Sequence, residues 1–175
     1  EKAPKDPKDI YGSIKFAGEI ISAGYRKRYG IDVRTVRPTA VYGPFDANQR
    51  VLYKFITRAL NKEPLRVDGN GSMALDFTYV DDTANGIYRV ATTDAAAGET
   101  FNIARGKSET LSTAVSIISE TIGDVEVEYG EVPAHIPNRG TLDITKAREL
   151  LGFEPQYSLE RALPAYIEHL RHNPI

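Results

Sequence analysis

Short β-type runs alternate with helical apolar stripes along most of this chain, and that alternation restricts it to an α/β sheet covered by helices. Leu111, Val115, Ile118 and Ile122 share one helical face that stops at Gly123, and Leu159, Leu163, Tyr166, Ile167 and Leu170 share another. Ile14, Gly18, Ile21 and Tyr25 predict a helix from Tyr11 to Tyr29, with Gly30 where a C-terminal stop belongs. Val51 to Leu60 reads as a further helix, and Thr145 caps a short one ended by Gly152. Val80, Ala84, Ile87, Tyr88 and Ala91 fall on one face, with Asp81 or Asp82 as the expected N-cap. Between these helices, Val33–Val36, Leu65–Asp68, Leu75–Val80, Thr100–Ile103 and Val125–Tyr129 read as strands.

Composition removes several classes of function. A chain of 175 residues can bury a sizeable core. With 22 Lys and Arg against 24 Asp and Glu, the net charge is -2, so no basic field exists to hold nucleic acid. The chain has no Cys, which excludes disulfides, thiolate zinc sites and cysteine nucleophiles and suits a reducing cytoplasm. No apolar run approaches the roughly 20 residues that span a bilayer, so no membrane partner is expected.

The chemistry-bearing candidate is Tyr11-Gly12-Ser13-Ile14-Lys15. On a helix, residues i and i+4 share a face, so the phenol and the ammonium can act together. A phenol is a poor base at neutral pH, but a fixed cation beside it stabilises the phenolate. Such a Tyr can take a proton from a hydroxyl while a hydride leaves the same carbon. The same spacing also arises by chance in a chain with 10 Tyr, so the residues alone leave both readings open. Gly69-Asn70-Gly71-Ser72-Met73-Ala74 matches G-x-G-x-x-A, a loose dinucleotide fingerprint. A strand-like run follows where the motif needs a helix, so a hairpin turn is expected instead. His169 and His172 lack a third ligand and suit the C-terminal end of a helix, so no metal is expected.

Tyr11-Gly12-Ser13-Ile14-Lys15-Phe16-Ala17-Gly18-Glu19 resembles the Y-G-x-x-K-x-x-x-E block of the extended short-chain dehydrogenases/reductases. Further blocks follow in the same order. Val36-Arg37-Pro38-Thr39-Ala40-Val41-Tyr42-Gly43-Pro44 is similar to R-P-x-x-V-Y-G-P, and Asp76-Phe77-Thr78-Tyr79-Val80-Asp81-Asp82 to R-D-F-x-Y-V-x-D. Phe101-Asn102-Ile103 resembles the F-N-I strand. Asp143-Ile144-Thr145-Lys146-Ala147 and Leu150-Leu151-Gly152-Phe153-Glu154-Pro155 resemble the D-x-x-K-A and L-G-F-x-P tail. Together they resemble the C-terminal half of an NAD-dependent epimerase/dehydratase of the UDP-glucose 4-epimerase-like branch. The N-terminal half, with its G-x-x-G-x-x-G turn and ribose-binding acid, has no counterpart in these residues.

The resemblance implies the C-terminal part of a Rossmann-like NAD-binding fold plus a small α/β substrate-binding domain. Residues 1–44 would be the Rossmann remnant that carries the Tyr11 helix. Residues 45–175 would be mostly the substrate-binding domain, with Leu75–Ala91 and nearby segments returning to the Rossmann side. It further implies that Tyr11 is the acid/base and that Lys15 holds the nicotinamide ribose. Pro38 and Thr39 would line the nicotinamide of NAD (or NADP). Arg50, Val51 and Leu52, with the stretch Leu65 to Val67, would border a nucleotide-sugar. Two positions depart from the pattern: Leu75 stands where the family has a phosphate-binding Arg, and Ala40 where it often has Asn. Arg66 or Arg139 would then supply the missing cation. The implied parent is a nucleotide-sugar epimerase, cytoplasmic, dimeric through the helix Tyr11–Tyr29, with this chain an incomplete piece. The alternatives are a 4,6-dehydratase, a carbonyl reductase, or a non-catalytic dimerisation module.

Overall fold

A computed structural model describes residues 1, 6–7, 9–132 and 140–173. Helix α1 (Ile10–Tyr29) starts at Asp9, whose carboxylate accepts the Gly12 N–H at 2.6 Å, and stops at Gly30 in the left-handed conformation. Strands β1 (Thr35–Pro38) and β2 (Val41–Tyr42) lead to α2 (Val51–Leu60). Strands β3 (Leu65–Asp68), β4 (Ala74–Leu75) and β5 (Thr78–Tyr79) precede α3 (Val80–Thr92). The chain continues through β6 (Thr100–Ile103), β7 (Glu109–Thr110), α4 (Leu111–Ile122) and β8 (Val127–Gly130), and closes with α5 (Thr145–Leu151) and α6 (Leu159–His172). Among the described residues, no helix is long and apolar enough to cross a membrane.

The strands pair two by two. β1 runs parallel to β6, β2 to β5 and β3 to β8, while β4 and β7 are antiparallel. Two apolar cores result. In the larger, Leu52, Phe55 and Ile56 of α2 meet Leu65 and Val67 of β3, Ile118 of α4, and Leu163, Tyr166 and Ile167 of α6. In the smaller, Phe101 and Ile103 of β6 pack with Val90 of α3, Ala147 and Leu151 of α5, and Phe153. The helix-on-strand contact of α3 is close: a Cβ at Gly86 would lie 2.3 Å from Cγ2 of Ile103.

Two buried carboxylates join distant loops to these elements. Asp76 accepts the N–H groups of Gly106 at 3.2 Å and Leu142 at 3.1 Å. Asp82 accepts those of Gln156 at 2.8 Å and Tyr157 at 3.0 Å. Each buried acceptor is thereby satisfied by backbone donors.

Five expectations are corrected. Thr145 does not cap α5 but is its first residue, and its N–H donates to the Asp143 carboxylate at 2.9 Å. The first strand starts at Thr35, where pairing with Thr100 at the start of β6 begins. Gly69-Asn70-Gly71 is a turn with positive φ at both glycines, but not a hairpin, since β3 pairs with β8 and β4 with β7. The run Leu75–Val80 is two short strands broken at Asp76, where the Phe77 N–H turns back to the Leu75 carbonyl. Finally, α3 is capped by Tyr79, and its inward face is Asp82, Thr83, Gly86 and Val90, while Ile87 and Tyr88 face outward. Asp82 is not a cap because the backbone near residue 156 claims its carboxylate.

Candidate active site

The C-terminal ends of β1 and β2, the start of α2 and one face of α1 enclose a cleft of about 1070 Å³. α1 contributes Tyr11, Lys15 and Glu19, which stand one above another at i, i+4 and i+8. The Lys15 ammonium lies 5.5 Å from the centre of the Tyr11 ring. Tyr11 is 67% exposed, so its hydroxyl is open to an incoming group. β1 ends at Pro38, and Pro38 and Thr39 form the floor beside them. Arg50, Val51 and Leu52 close the far side, with the Arg50 guanidinium donating to the Val41 carbonyl at 3.2 Å.

Tyr42 is a second phenol in the cleft wall, and its environment is opposite to that of Tyr11. It is 3% exposed, packs edge-on against Phe77 and Tyr79, and its hydroxyl has no hydrogen-bond partner among the described residues. Burial pushes this phenol well above its ordinary range, so it stays protonated and is no rival for carrying a proton.

Among the described residues, three cations line the cleft. The Arg37 guanidinium forms a two-pronged pair with Glu19, at 2.7 Å and 2.5 Å, and this carboxylate holds Arg37 firmly in its charged form. Lys15 and Arg50 make no ion pair among the described residues and are open to an anion. The turn between β1 and β2 is strained at the cleft wall, where Ala40 has φ 39°.

The structure therefore brings Tyr11, Lys15, Pro38, Thr39, Arg50, Val51 and Leu52 to one cleft. It does not bring Arg66 there. Alternation along β3 sends Leu65 and Val67 into the core and Arg66 outward, where it pairs with Glu128 at 3.4 Å. Arg139 lies outside the described residues. The ion pair between Glu19 and Arg37 was missed by sequence reasoning, although the i, i+4, i+8 spacing from Tyr11 was visible.

The model of the NAD dependent epimerase/dehydratase family matches residues 1–104. The chain is 30% identical over 171 residues to the uncharacterized UDP-glucose epimerase YtcB of Bacillus subtilis, covering 97% of this chain and 54% of that protein. It is 30% identical over 169 residues to the UDP-glucuronate 4-epimerase of Thermodesulfobacterium geofontis, covering 95% of this chain and 52% of that one. Its fold is similar to that of UDP-glucuronic acid 4-epimerase from Bacillus cereus, solved in complex with UDP-glucuronic acid and NAD. There the TM-score is 0.93 at 27% identity, over 98% of this chain and 55% of that chain. The chain thus spans about half the length of the relatives it matches, and its α/β architecture is Rossmann-like. Ordered motifs, shared fold and a family match over more than half its residues agree that this chain belongs to the NAD-dependent epimerase/dehydratase family.

Proposed function

We propose that the protein carrying this chain is an NAD-dependent nucleotide-sugar epimerase, with Tyr11 as its proton carrier. The observation that carries the reading is the convergence of Tyr11 and Lys15 with Pro38, Thr39 and Arg50 on one cleft. The residues present fit the nicotinamide-ribose end of a dinucleotide: an exposed phenol, an ammonium with no ion pair among the described residues, and a strand-end floor. None of the described residues forms the glycine-rich turn leading into a helix that would cradle its diphosphate, since β4 follows Gly71.

When bound, the cofactor supplies hydride acceptance and return at the sugar carbon. Tyr11 Oη takes the proton from the hydroxyl on that carbon and gives it back after the sugar has turned. Lys15 balances the phenolate charge, and its ammonium can also donate to a ribose hydroxyl. Arg50 faces the anionic nucleotide portion, the part of the site for which Arg66 is turned the wrong way. A second copy of the chain docks on the outward flank of α1, a reading supported by the exposure of Ile14, Ile21 and Tyr25. A reducing cytoplasm is the compartment that a cysteine-free chain of this kind suits.

In the protein as its gene encodes it, Tyr11→Phe should lower turnover by about a hundredfold or more while leaving cofactor binding and thermal stability in place. Near-normal turnover in that variant overturns the assignment.

A further inference from the structure

We infer that the Glu19–Arg37 ion pair is a positioning device for Tyr11 and Lys15, setting how α1 lies against β1. The inference rests on the function proposed above. Among the described residues it is the ion pair that ties α1 to a strand. The helix has no buried residue, and its apolar side chains Ile10, Ile14, Ile20, Ile21 and Tyr25 are exposed. Within this chain, polar contacts tie its inner face to the elements beside it. Two of these link α1 to other elements, one to the turn ahead of β6 and one to β1. Arg26 donates to the Gly98 carbonyl at 3.4 Å, a long single bond. Glu19 grips Arg37 with both carboxylate oxygens, a charge-assisted fork that fixes direction as well as distance. Arg37 is further oriented by the Glu1 carbonyl at 3.5 Å.

Both ends of the pair are close to the chemistry. Arg37 directly precedes Pro38, the floor residue at the end of β1. Glu19 lies two turns along the same helical face from Tyr11, about 12 Å along the axis at 1.5 Å per residue. A rigid helix held at Glu19 carries Tyr11 and Lys15 at a set distance from Thr39. Misplacing a reacting group by about 1 Å can cost about a hundredfold in rate. Glu19 and Arg37 are therefore positioning residues, acting through α1 and β1 and not on substrate.

The test uses Glu19→Gln and Glu19→Asp in the protein as its gene encodes it, with Tyr11→Phe as the control. Glu19→Gln keeps the shape of the side chain but removes the charge and turns an amide donor toward Arg37. Amide hydrogen exchange in the middle of α1, around Phe16 to Ala23, should quicken about tenfold, with exchange in α2, α4 and α6 unchanged. The kcat should fall about tenfold while KM for the sugar nucleotide stays within about twofold. Glu19→Asp keeps the charge and should recover part of both losses. Unchanged exchange in α1, or loosening spread equally over both cores, overturns the inference. So does an unchanged kcat in a background where Tyr11→Phe is inactive. If Tyr11→Phe retains turnover, the proposed function fails instead, and the exchange result alone decides whether the pair holds α1.

Discussion

Gly86→Ala is the sharpest probe of how α3 is seated. The new methyl carbon would sit 2.3 Å from Cγ2, 3.1 Å from Cδ1 and 3.2 Å from Cγ1 of Ile103. Favourable carbon–carbon contact begins at about 3.5 Å, so roughly 1.2 Å of separation has to be found. Ile103 is fully buried in the smaller core and pairs in register with Pro38, the cleft floor, so the strand cannot retreat freely. Overpacking of this kind costs about 1–3 kcal/mol, and a displacement this large belongs at the upper end. Replacing glycine inside a helix returns about 1 kcal/mol. The net expectation is a loss of about 2 kcal/mol. A double-mutant cycle separates the two effects. Ile103→Ala alone should cost about 2–5 kcal/mol. In the Gly86→Ala background it should cost at least about 1.5 kcal/mol less, because the clash disappears and the methyl fills part of the cavity. Urea unfolding followed by circular dichroism on the parent and three variants measures all four corners. A stabilised Gly86→Ala, or strict additivity in the cycle, would refute the reasoning.

Ala40→Asn should raise stability by about 0.5–1 kcal/mol in the same urea assay, since Asn tolerates the left-handed φ of 39° that strains Ala. No gain would mean that the strain is relieved elsewhere in the loop. Asp76→Asn should cost about 2 kcal/mol, because an amide NH₂ would meet the N–H groups of Gly106 and Leu142. Burial holds the Asp76 carboxyl above its ordinary range, against the N–H bonds from Leu142 and Gly106 and the charge of Arg105. The folded state therefore favours the protonated form, and that contribution is lost as pH rises through the elevated value. The parent should accordingly lose stability relative to Asp76→Asn as pH is raised from about 4. A relative gain over that range would refute the sign.

Local pattern was legible in the sequence wherever one element carried its own signal. Val51–Leu60 and Leu65–Asp68 form as expected, and all five apolar residues of the last stripe are buried. What was illegible depended on partners distant in the chain. Gly69-Asn70-Gly71 has hairpin chemistry, but β8 and β7 compete for the strands on either side of it. Asp82 sits where an N-cap belongs, but donors near residue 156 need a buried acceptor. At α3 the apolar stripe faces outward because the close approach to Ile103 selects the side bearing Gly86, which periodicity cannot weigh. In the cleft, Tyr11 and Lys15 were visible as a helical pair. Arg66 was mistaken for a cleft cation although strict alternation with Leu65 and Val67 already pointed it outward.

The pairing of β1 with β6 and of β3 with β8 joins residues more than sixty positions apart, as Thr35 to Thr100 and Leu65 to Val127 show. Closing such loops costs chain entropy before any contact repays it, so folding of this chain is slow compared with that of a helical bundle. Synthesis adds a further delay. The helix whose apolar face is most completely enclosed, with Leu159, Leu163, Tyr166 and Ile167 fully buried, is synthesised well after α2 and α4. Until it emerges, the apolar faces of α2 and α4 have no cover, and the nascent chain is a natural client for chaperones that hold exposed hydrophobic surface.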